Sequence, residues 1–434
     1  MRSLVFLVSL VFGLSLANAA EAQEARPFFY KEGECRTGNV EGELKYVGTT
    51  KDFKGVPVMI LEGTPEEKGR QAGSLALRQA KPLLKFPRDY FQQECTAMLQ
   101  GLFPNTAANR IDAMVEKELW PKFEKVASKL EPNFPKPHLK ELEALSKAGE
   151  VDREQLIASN GMFDLGHIPP GELLRGCTSV IIPARHSNTQ GLLFGRNLDF
   201  SHFGYLYQYS LLTVYKSDDP KKKHSFASAG FPGFVGCFTG MNDAGLTIAS
   251  HEVEEPEETT TRFNPKGVPF GMAYRRILEE CATIAEALAL LDSIERASVT
   301  SLVIADADAE GGAVIEVTPD SLAIRRFKDK PGVCTNHFCS MKNPKQKDRF
   351  ETLTRFNELT KSVAVKKDER FGVDNVQKGL HGARLLDRSK ADITIQTFVF
   401  EPAKRLVHLR FGDGNGPATK GDLTTIDLKE LWGK

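Results

Sequence analysis

Arg175-Gly176-Cys177-Thr178-Ser179-Val180, followed by Gly195-Arg196-Asn197-Leu198-Asp199-Phe200, is the stretch on which the reading of this chain turns. Between the two lie an apolar run (Val180 to Pro183), a polar turn (Ala184 to Gln190) and a second apolar run (Leu192 to Phe194). Arg, Asn and Asp are thereby returned close beside a thiol. A cysteine sulfur can attack an acyl carbonyl and hold the acyl group as a thioester, which suggests an amide- or thioester-processing site. A buried cysteine opening a strand is the plainer alternative, and Cys177 in isolation does not separate the two.

The 434 residues are 41% hydrophobic and 26% charged, enough for a substantial core in one large domain or two moderate ones. Lys plus Arg equals Asp plus Glu at 57 each, so no global charge draws the chain to nucleic acid or an anionic membrane. The run Lys221-Lys222-Lys223 follows Asp218-Asp219-Pro220 and reads as a solvated turn. At the N-terminus, Arg2, the apolar stretch Leu4 to Ala17 and small residues at Ala17 and Ala19 read as a secretory signal peptide over 1–19, with Ala22 as a second cleavage option. That core is short for a membrane span, and no later segment is long and apolar enough to cross one. The expected destination is secreted or periplasmic.

An oxidising destination permits disulfides among the 7 cysteines. Cys334 with Cys339, and Cys35 with Cys95, are the candidate pairs, and the odd count leaves a thiol over, for which Cys177 is the best candidate. No Cys/His cluster has zinc-site spacing, so no metal and no cofactor is expected.

Residues 20–176 read as a mainly helical segment. Thr64-Pro65-Glu66-Glu67 is a capped helix start. Helical spacing continues through Asn109 to Leu130 and His138 to Ala148, and Asp152 caps Arg153 to Ser159. After Cys177 the period changes to short strands: Thr178 to Ile182, Gly191 to Phe194, Tyr209 to Tyr215, Leu246 to Ser250, Thr300 to Ala305, Ala313 to Val317, Ile393 to Phe400 and Leu406 to Phe411. One long helix is expected over Gly271 to Ile294 and another over Asp348 to Leu359. Strands around long helices argue for an α+β sheet layer. Asp306 to Gly312 reads as a hairpin turn rather than a calcium loop, because strands flank it.

The motifs together resemble the autoproteolytic acyltransferase/hydrolase family typified by isopenicillin N acyltransferase, and more distantly acid ceramidase, N-acylethanolamine acid amidase and choloylglycine hydrolase. The resemblance rests on Gly176-Cys177-Thr178-Ser179, Gly195-Arg196-Asn197-Leu198-Asp199, Gly240-Met241-Asn242-Asp243-Ala244-Gly245-Leu246 and Thr335-Asn336-His337-Phe338. Glu141-Leu142-Glu143-Ala144-Leu145 and Asn160 extend it upstream. It implies a four-layer αββα N-terminal nucleophile fold, with residues 177–434 as the catalytic domain and 20–176 retained after cleavage. It further implies that the chain cuts itself before Cys177, whose new α-amine then serves as the base.

On that resemblance Arg196 and Asp199 match the family's site arginine and aspartate, Asn336 is a candidate oxyanion donor, and Arg349 is expected to enter the site. The alternatives are an ordinary Arg196–Asp199 ion pair, a turn role for Asn336 and a surface charge or cap for Arg349. Asn242 reads as a turn residue. The second oxyanion donor is open, with His251 or a backbone N–H as candidates. His337 raises a Cys–His dyad, against which a structural role is preferred. The expected partner is a small-molecule N-acyl amide, lipid-like amides among the candidates, with no nucleic acid and no integral membrane association. Acyl transfer to an amine, a conventional cysteine-protease mechanism and an inactive binding protein are the competing readings.

Overall fold

The computed structural model describes residues 28–51, 54–167, 176–201, 203–253, 261–341, 348, 351–366, 369–385, 394–414 and 416–433. The expected signal peptide and Arg349 lie outside the described residues. In chain order the strands begin with β1 (Gly33–Thr37), β2 (Val40–Val47) and β3 (Val56–Leu61), ahead of the cysteine. β4 (Gly176–Ile182) and β5 (Leu193–Asp199) carry the opening motifs. Then come β6 (Leu211–Tyr215), β7 (Phe226–Gly230), β8 (Thr239–Asn242) and β9 (Thr247–Glu252). The remainder are β10 (Thr300–Ala305), β11 (Gly312–Val317), β12 (Leu322–Phe327), β13 (Gly332–Cys334), β14 (Thr394–Glu401), β15 (Leu406–Phe411) and β16 (Thr424–Asp427).

These strands make two sheets. One has ten strands in the order β1-β2-β3-β6-β7-β8-β9-β10-β11-β12, and the other six in the order β13-β4-β5-β14-β15-β16. Strand alternation sorts the side chains into layers. Ile181, Phe194, Met241, Ala249, Val303 and Phe398 point into the core between the sheets. Val180, Ile182, Val376, Leu380 and Val399 point outward from the six-stranded sheet, under the helices Thr352–Ser362 and Val373–Gly382. Leu302, Ile304, Ile277 and Leu291 belong to the third cluster, on the helix-covered side of the ten-stranded sheet. The expected α+β, four-layer αββα architecture is therefore present.

Local differences from the sequence reading have physical causes. The helix expected over Gly271 to Ile294 is two helices, Phe270–Glu280 and Ile284–Ser293, because Thr283 and Glu286 form a capping box that starts a second one. The segment ahead of Cys177 contributes β1, β2 and β3 as well as helices, and β3 pairs in parallel with β6. Gly69 and Gly73 do not break the helix Pro65–Ala72. A Cβ at Gly69 would stand 2.2 Å from the Glu141 carbonyl oxygen, and one at Gly73 would stand 2.6 Å from that of Leu145, so glycine permits the helix Lys136–Gly149 to pack backbone to backbone. All seven cysteines are free. Neither candidate pair is bridged: Cys334 is buried between the sheets while Cys339 is exposed, and Cys95 is buried while Cys35, on an edge strand, is partly exposed. The Lys221-Lys222-Lys223 turn folds back on its own acids, with Lys222 against Asp219 and Lys223 near Asp218. No helix among the described residues is long and apolar enough to cross a membrane.

The two sides of Cys177 are joined by buried polar contacts. Arg275 donates to Glu141 at 2.6 Å and to Glu279 at 2.9 Å and stacks over Tyr215 at 4.4 Å. Asn160 donates to the Gly233 carbonyl and accepts from Val235 N–H, and Asp164 accepts from Phe270 N–H and Ser298. Glu141→Ala strands a buried guanidinium with Glu279 as its remaining acidic hydrogen-bond partner. The expected cost is about 3 kcal/mol, the lower end for breaking a buried pair. Chemical denaturation checks it; a shift under half that size would show that Glu279 compensates.

Candidate active site

Strand parity decides which groups meet at Cys177. Cys177 pairs with Leu198 and Ser179 with Arg196 across the β4–β5 ladder, so these four side chains share the face between the sheets. Thr239 and His251 reach the same layer from the opposite sheet. Gly176, Thr178, Asn197 and Asp199 fall on the other face, toward the helices. Arg196 and Asp199, three residues apart, therefore lie on opposite faces of β5, and the ordinary ion pair between them does not form.

On the thiol face, Arg196 is fully buried. Its Nε donates to Thr239 Oγ1 at 3.3 Å, its Nη1 lies 3.4 Å from His251 Nε2, and its Nη2 has no hydrogen-bond partner among the described residues. Arginine can only donate, so the Nε2 lone pair of His251 accepts, and the ring proton belongs on Nδ1. Ser179 Oγ, 2.8 Å away, donates to the same Nε2. Burial first, then the charges of Arg196 and Arg355, push the His251 pKa well below the usual imidazole value, so the ring is neutral. A buried guanidinium beside a neutral ring is electrostatically open to an anion.

On the helix face, the backbone around Cys177 is gripped. The Cys177 N–H donates to Asn336 Oδ1 at 2.9 Å, and Asn336 Nδ2 donates to the Glu252 carbonyl at 2.8 Å. Arg355 Nη2 donates to the same Asn336 oxygen at 2.8 Å, while its Nη1 donates to the Cys177 carbonyl and to Thr178 Oγ1, each at 2.7 Å. Arg355 Nη1 also lies 3.6 Å from Asp199 Oδ2. Asp199 accepts from Thr394 Oγ1. Its burial raises the carboxyl pKa, against the lowering effects of Arg355, Thr394 and Arg196. Asp199 also abuts the residue ahead of the thiol: a Cβ at Gly176 would stand 3.2 Å from Asp199 Oδ2, 2.9 Å from its Cβ and 2.6 Å from Leu385. Glycine is thus the residue that fits before Cys177.

Arg355 was not singled out in the sequence, where Arg349 was expected to enter the site. The signal lay in helical spacing: Thr352, Arg355 and Leu359 form the buried stripe of Thr352–Ser362, and a charged residue in an otherwise inward-facing stripe needs a partner. Asp348 accepts from Leu353 and Thr354 N–H at the start of that helix. Thr352 Oγ1 accepts from Asn336 N–H at 2.8 Å, tying the helix start to the Asn336 loop. The remaining candidates are structural in their contacts. His337 Nδ1 hydrogen-bonds to Thr352 at 3.0 Å and to Thr335 at 3.2 Å, and burial brings its pKa down to about 4. Asn242 donates to the Leu278 and Cys281 carbonyls and accepts from Leu246 N–H, spanning a turn. Among the described residues no group of His, Cys, Asp and Glu is placed to hold a metal ion.

The layered sheets and the gripped cysteine at the head of β4 define an N-terminal-nucleophile hydrolase-type protein. Residues 185–415 match the family described as acyl-coenzyme A:6-aminopenicillanic acid acyl-transferase, and the chain belongs to it. The matched span includes Arg196, Asp199, Asn336 and Arg355 and begins just after Cys177. Membership supports an enzymatic activity of the hydrolase or acyltransferase type. Among curated proteins, an uncharacterized protein of Archaeoglobus fulgidus is 29% identical over 108 residues, which are 24% of this chain and 18% of that protein's length. Among solved structures, a variant of the conjugated bile acid hydrolase of Clostridium perfringens aligns at 16% identity over 59% of this chain and 94% of its own, with a TM-score of 0.44. Penicillin V acylase of Agrobacterium tumefaciens aligns at 16% over 59% and 87%, TM-score 0.43. The Caenorhabditis elegans ortholog of N-acylethanolamine-hydrolyzing acid amidase aligns at 15% over 58% and 99%, TM-score 0.39.

Proposed function

We propose that this protein is a secreted or periplasmic enzyme that cuts its own chain before Cys177 and then hydrolyses the linear amide of an N-acyl compound through a thioester. The observation that carries the reading is the grip on Cys177: Asn336 and Arg355 hold its backbone N–H and carbonyl, while its side chain shares a face with the open guanidinium of Arg196. In maturation the Cys177 sulfur attacks the Gly176 carbonyl, the C–N bond to Cys177 breaks, and water then hydrolyses the thioester. The products are a Gly176 carboxylate, a free thiol and a new α-amine.

That amine, with an ordinary pKa of about 7.7–8.0, takes the thiol proton near neutral pH. The thiolate attacks the substrate carbonyl, and the amine returns its proton to the departing nitrogen. Water, deprotonated by the same amine, releases the acid and restores the thiol. Asn336 Oδ1, already the acceptor for the Cys177 nitrogen, orients the amine, and the charge of Arg196 favours the thiolate. Donation from Asn336 Nδ2 and from a backbone N–H or the ring of His251 stabilises the oxyanion. The uncut chain lacks the amine and is latent.

Intact-mass analysis of secreted material should show two fragments, one beginning at Cys177, that remain together under native conditions. A single uncut chain with full amidase activity would overturn the mechanism. The family's description favours one second reading, in which a bound amine intercepts the thioester and the enzyme transfers the acyl group. Measuring released acid and transferred acyl product in one assay separates the two.

A further inference from the structure

Next to the thiol the interior opens into an apolar pocket of about 600 Å³, mouth included. Its link to the reaction centre is Leu198, which lines the pocket and is the direct cross-strand neighbour of Cys177. Aromatic rings dominate the walls: Phe86, Phe163, Phe200, Phe234 and Phe238 stand at centroid separations from 4.1 to 6.3 Å within the set. Among the described lining residues Ser159 alone has a polar side chain, and its hydroxyl donates to the Gln155 carbonyl at 2.7 Å.

Half of the described lining residues lie ahead of Cys177, on the turn Lys81–Lys85, the start of Phe86–Leu102, the helix Arg153–Gly161 and the turn after it. All of these positions fall outside the family match over 185–415. The chemistry and the pocket wall thus come from different parts of the chain. A family name that describes the matched part does not specify what the added wall accepts.

Building on the proposed amide hydrolysis, we infer that this pocket receives the substrate's acyl group, that the group is an unsubstituted hydrocarbon, and that the residues ahead of Cys177 set the length accepted. An aromatic, nearly polar-free lining rewards each buried methylene. A hydroxylated acyl group would find the half-buried Ser159 oxygen as its one side-chain acceptor among the described lining and would bury its hydroxyl unpaired anywhere deeper, which disfavours sterol-like acids carrying several hydroxyls. The leaving amine stays at the polar end, near Arg196. Leu84, Ser159, Phe163 and Phe234 are half-buried and form the rim, where a larger side chain narrows the pocket without entering the core.

The test uses the mature two-fragment enzyme and a series of para-nitroanilides carrying acetyl, hexanoyl, dodecanoyl and ω-hydroxydodecanoyl groups. kcat/KM is expected to rise by up to about fourfold per methylene until the pocket is filled, reaching about 100-fold between acetyl and dodecanoyl. The ω-hydroxyl should lower the dodecanoyl value by about tenfold or more. In Leu84→Trp and Ser159→Phe, with cleavage before Cys177 verified by mass as a sign of correct folding, the dodecanoyl-to-acetyl ratio should fall at least about tenfold. In parallel, dodecanoate binding to uncut Cys177→Ala is measured by calorimetry, with and without the two rim substitutions. Turnover indifferent to chain length in a properly cleaved enzyme overturns the pocket assignment and leaves the amidase reading standing. No cleavage and no turnover of any amide overturns the amidase reading. The pocket is then decided by calorimetry: binding weakened by the rim substitutions supports it, and absence of binding overturns it.

Discussion

Cys177→Ala is expected to yield one uncut chain with no measurable amidase activity, a loss on the order of 10⁴-fold or more, the scale of removing a catalytic nucleophile. A single substitution has two effects because in the proposed mechanism the same sulfur performs both acyl transfers, first on the Gly176 carbonyl and then on the substrate. Cys177→Ser keeps a weaker nucleophile and is expected to mature slowly over hours, with low activity after cutting. Mass spectrometry over a time course, with amide hydrolysis measured on the same samples, checks both. Full-rate cleavage in Cys177→Ala would remove the cysteine from the mechanism. Hydrolysis by the uncut alanine variant would place the chemistry at another residue.

The second large effect is expected at Arg355. Its guanidinium bonds the Cys177 carbonyl, Thr178 Oγ1 and Asn336 Oδ1 and sits 3.6 Å from Asp199. Hydrogen bonds to charged groups contribute about 1.5–3 kcal/mol each, and their buried acceptors would be stranded together. Arg355→Met is therefore expected to slow cleavage at least about 100-fold and, in any enzyme that matures, to lower kcat more than it raises KM. Arg355→Lys keeps the charge but cannot make the forked contacts, so partial recovery is expected. Circular dichroism separates unfolding from misplacement. A folded Met variant that cuts at the wild-type rate would show that the grip on Cys177 is not needed.

Both predictions bear on how the site could be read from sequence. Cys177, Arg196, Asp199 and Asn336 stand within compact motifs, and all four lie buried around the head of β4 and its neighbour β5. Arg355 leaves little trace in the sequence because it contributes from a helix far along the chain, with no motif around it beyond its place in a buried stripe. The 3- and 4-residue strands β13 and β8 carry too few alternating residues to show a period, and β1 and β2 are rich in charged residues and glycine, so their extended form depends on the neighbours they pair with. The break between Phe270–Glu280 and Ile284–Ser293 was legible in Thr283 and Glu286 but was masked by apolar residues on both sides.

By itself the sequence determined the chemistry on offer. A thiol after glycine, with Arg, Asn and Asp returned nearby, offers a sulfur, a cation and hydrogen-bonding groups whatever the surroundings, and the change from helical to strand period at Cys177 placed that thiol at the head of a strand. What the tertiary structure alone decided is which groups face which side of Cys177. An offset of three along a strand sends Arg196 and Asp199 to opposite faces. The fold then brings His251 from the other sheet to one face and Arg355 from a distant helix to the other, and it joins Phe86 and Phe163 with Phe200, Phe234 and Phe238 in a pocket that Leu198, the cross-strand neighbour of Cys177, also lines. Those placements depend on register and packing between segments remote in the chain, and no local pattern encodes them.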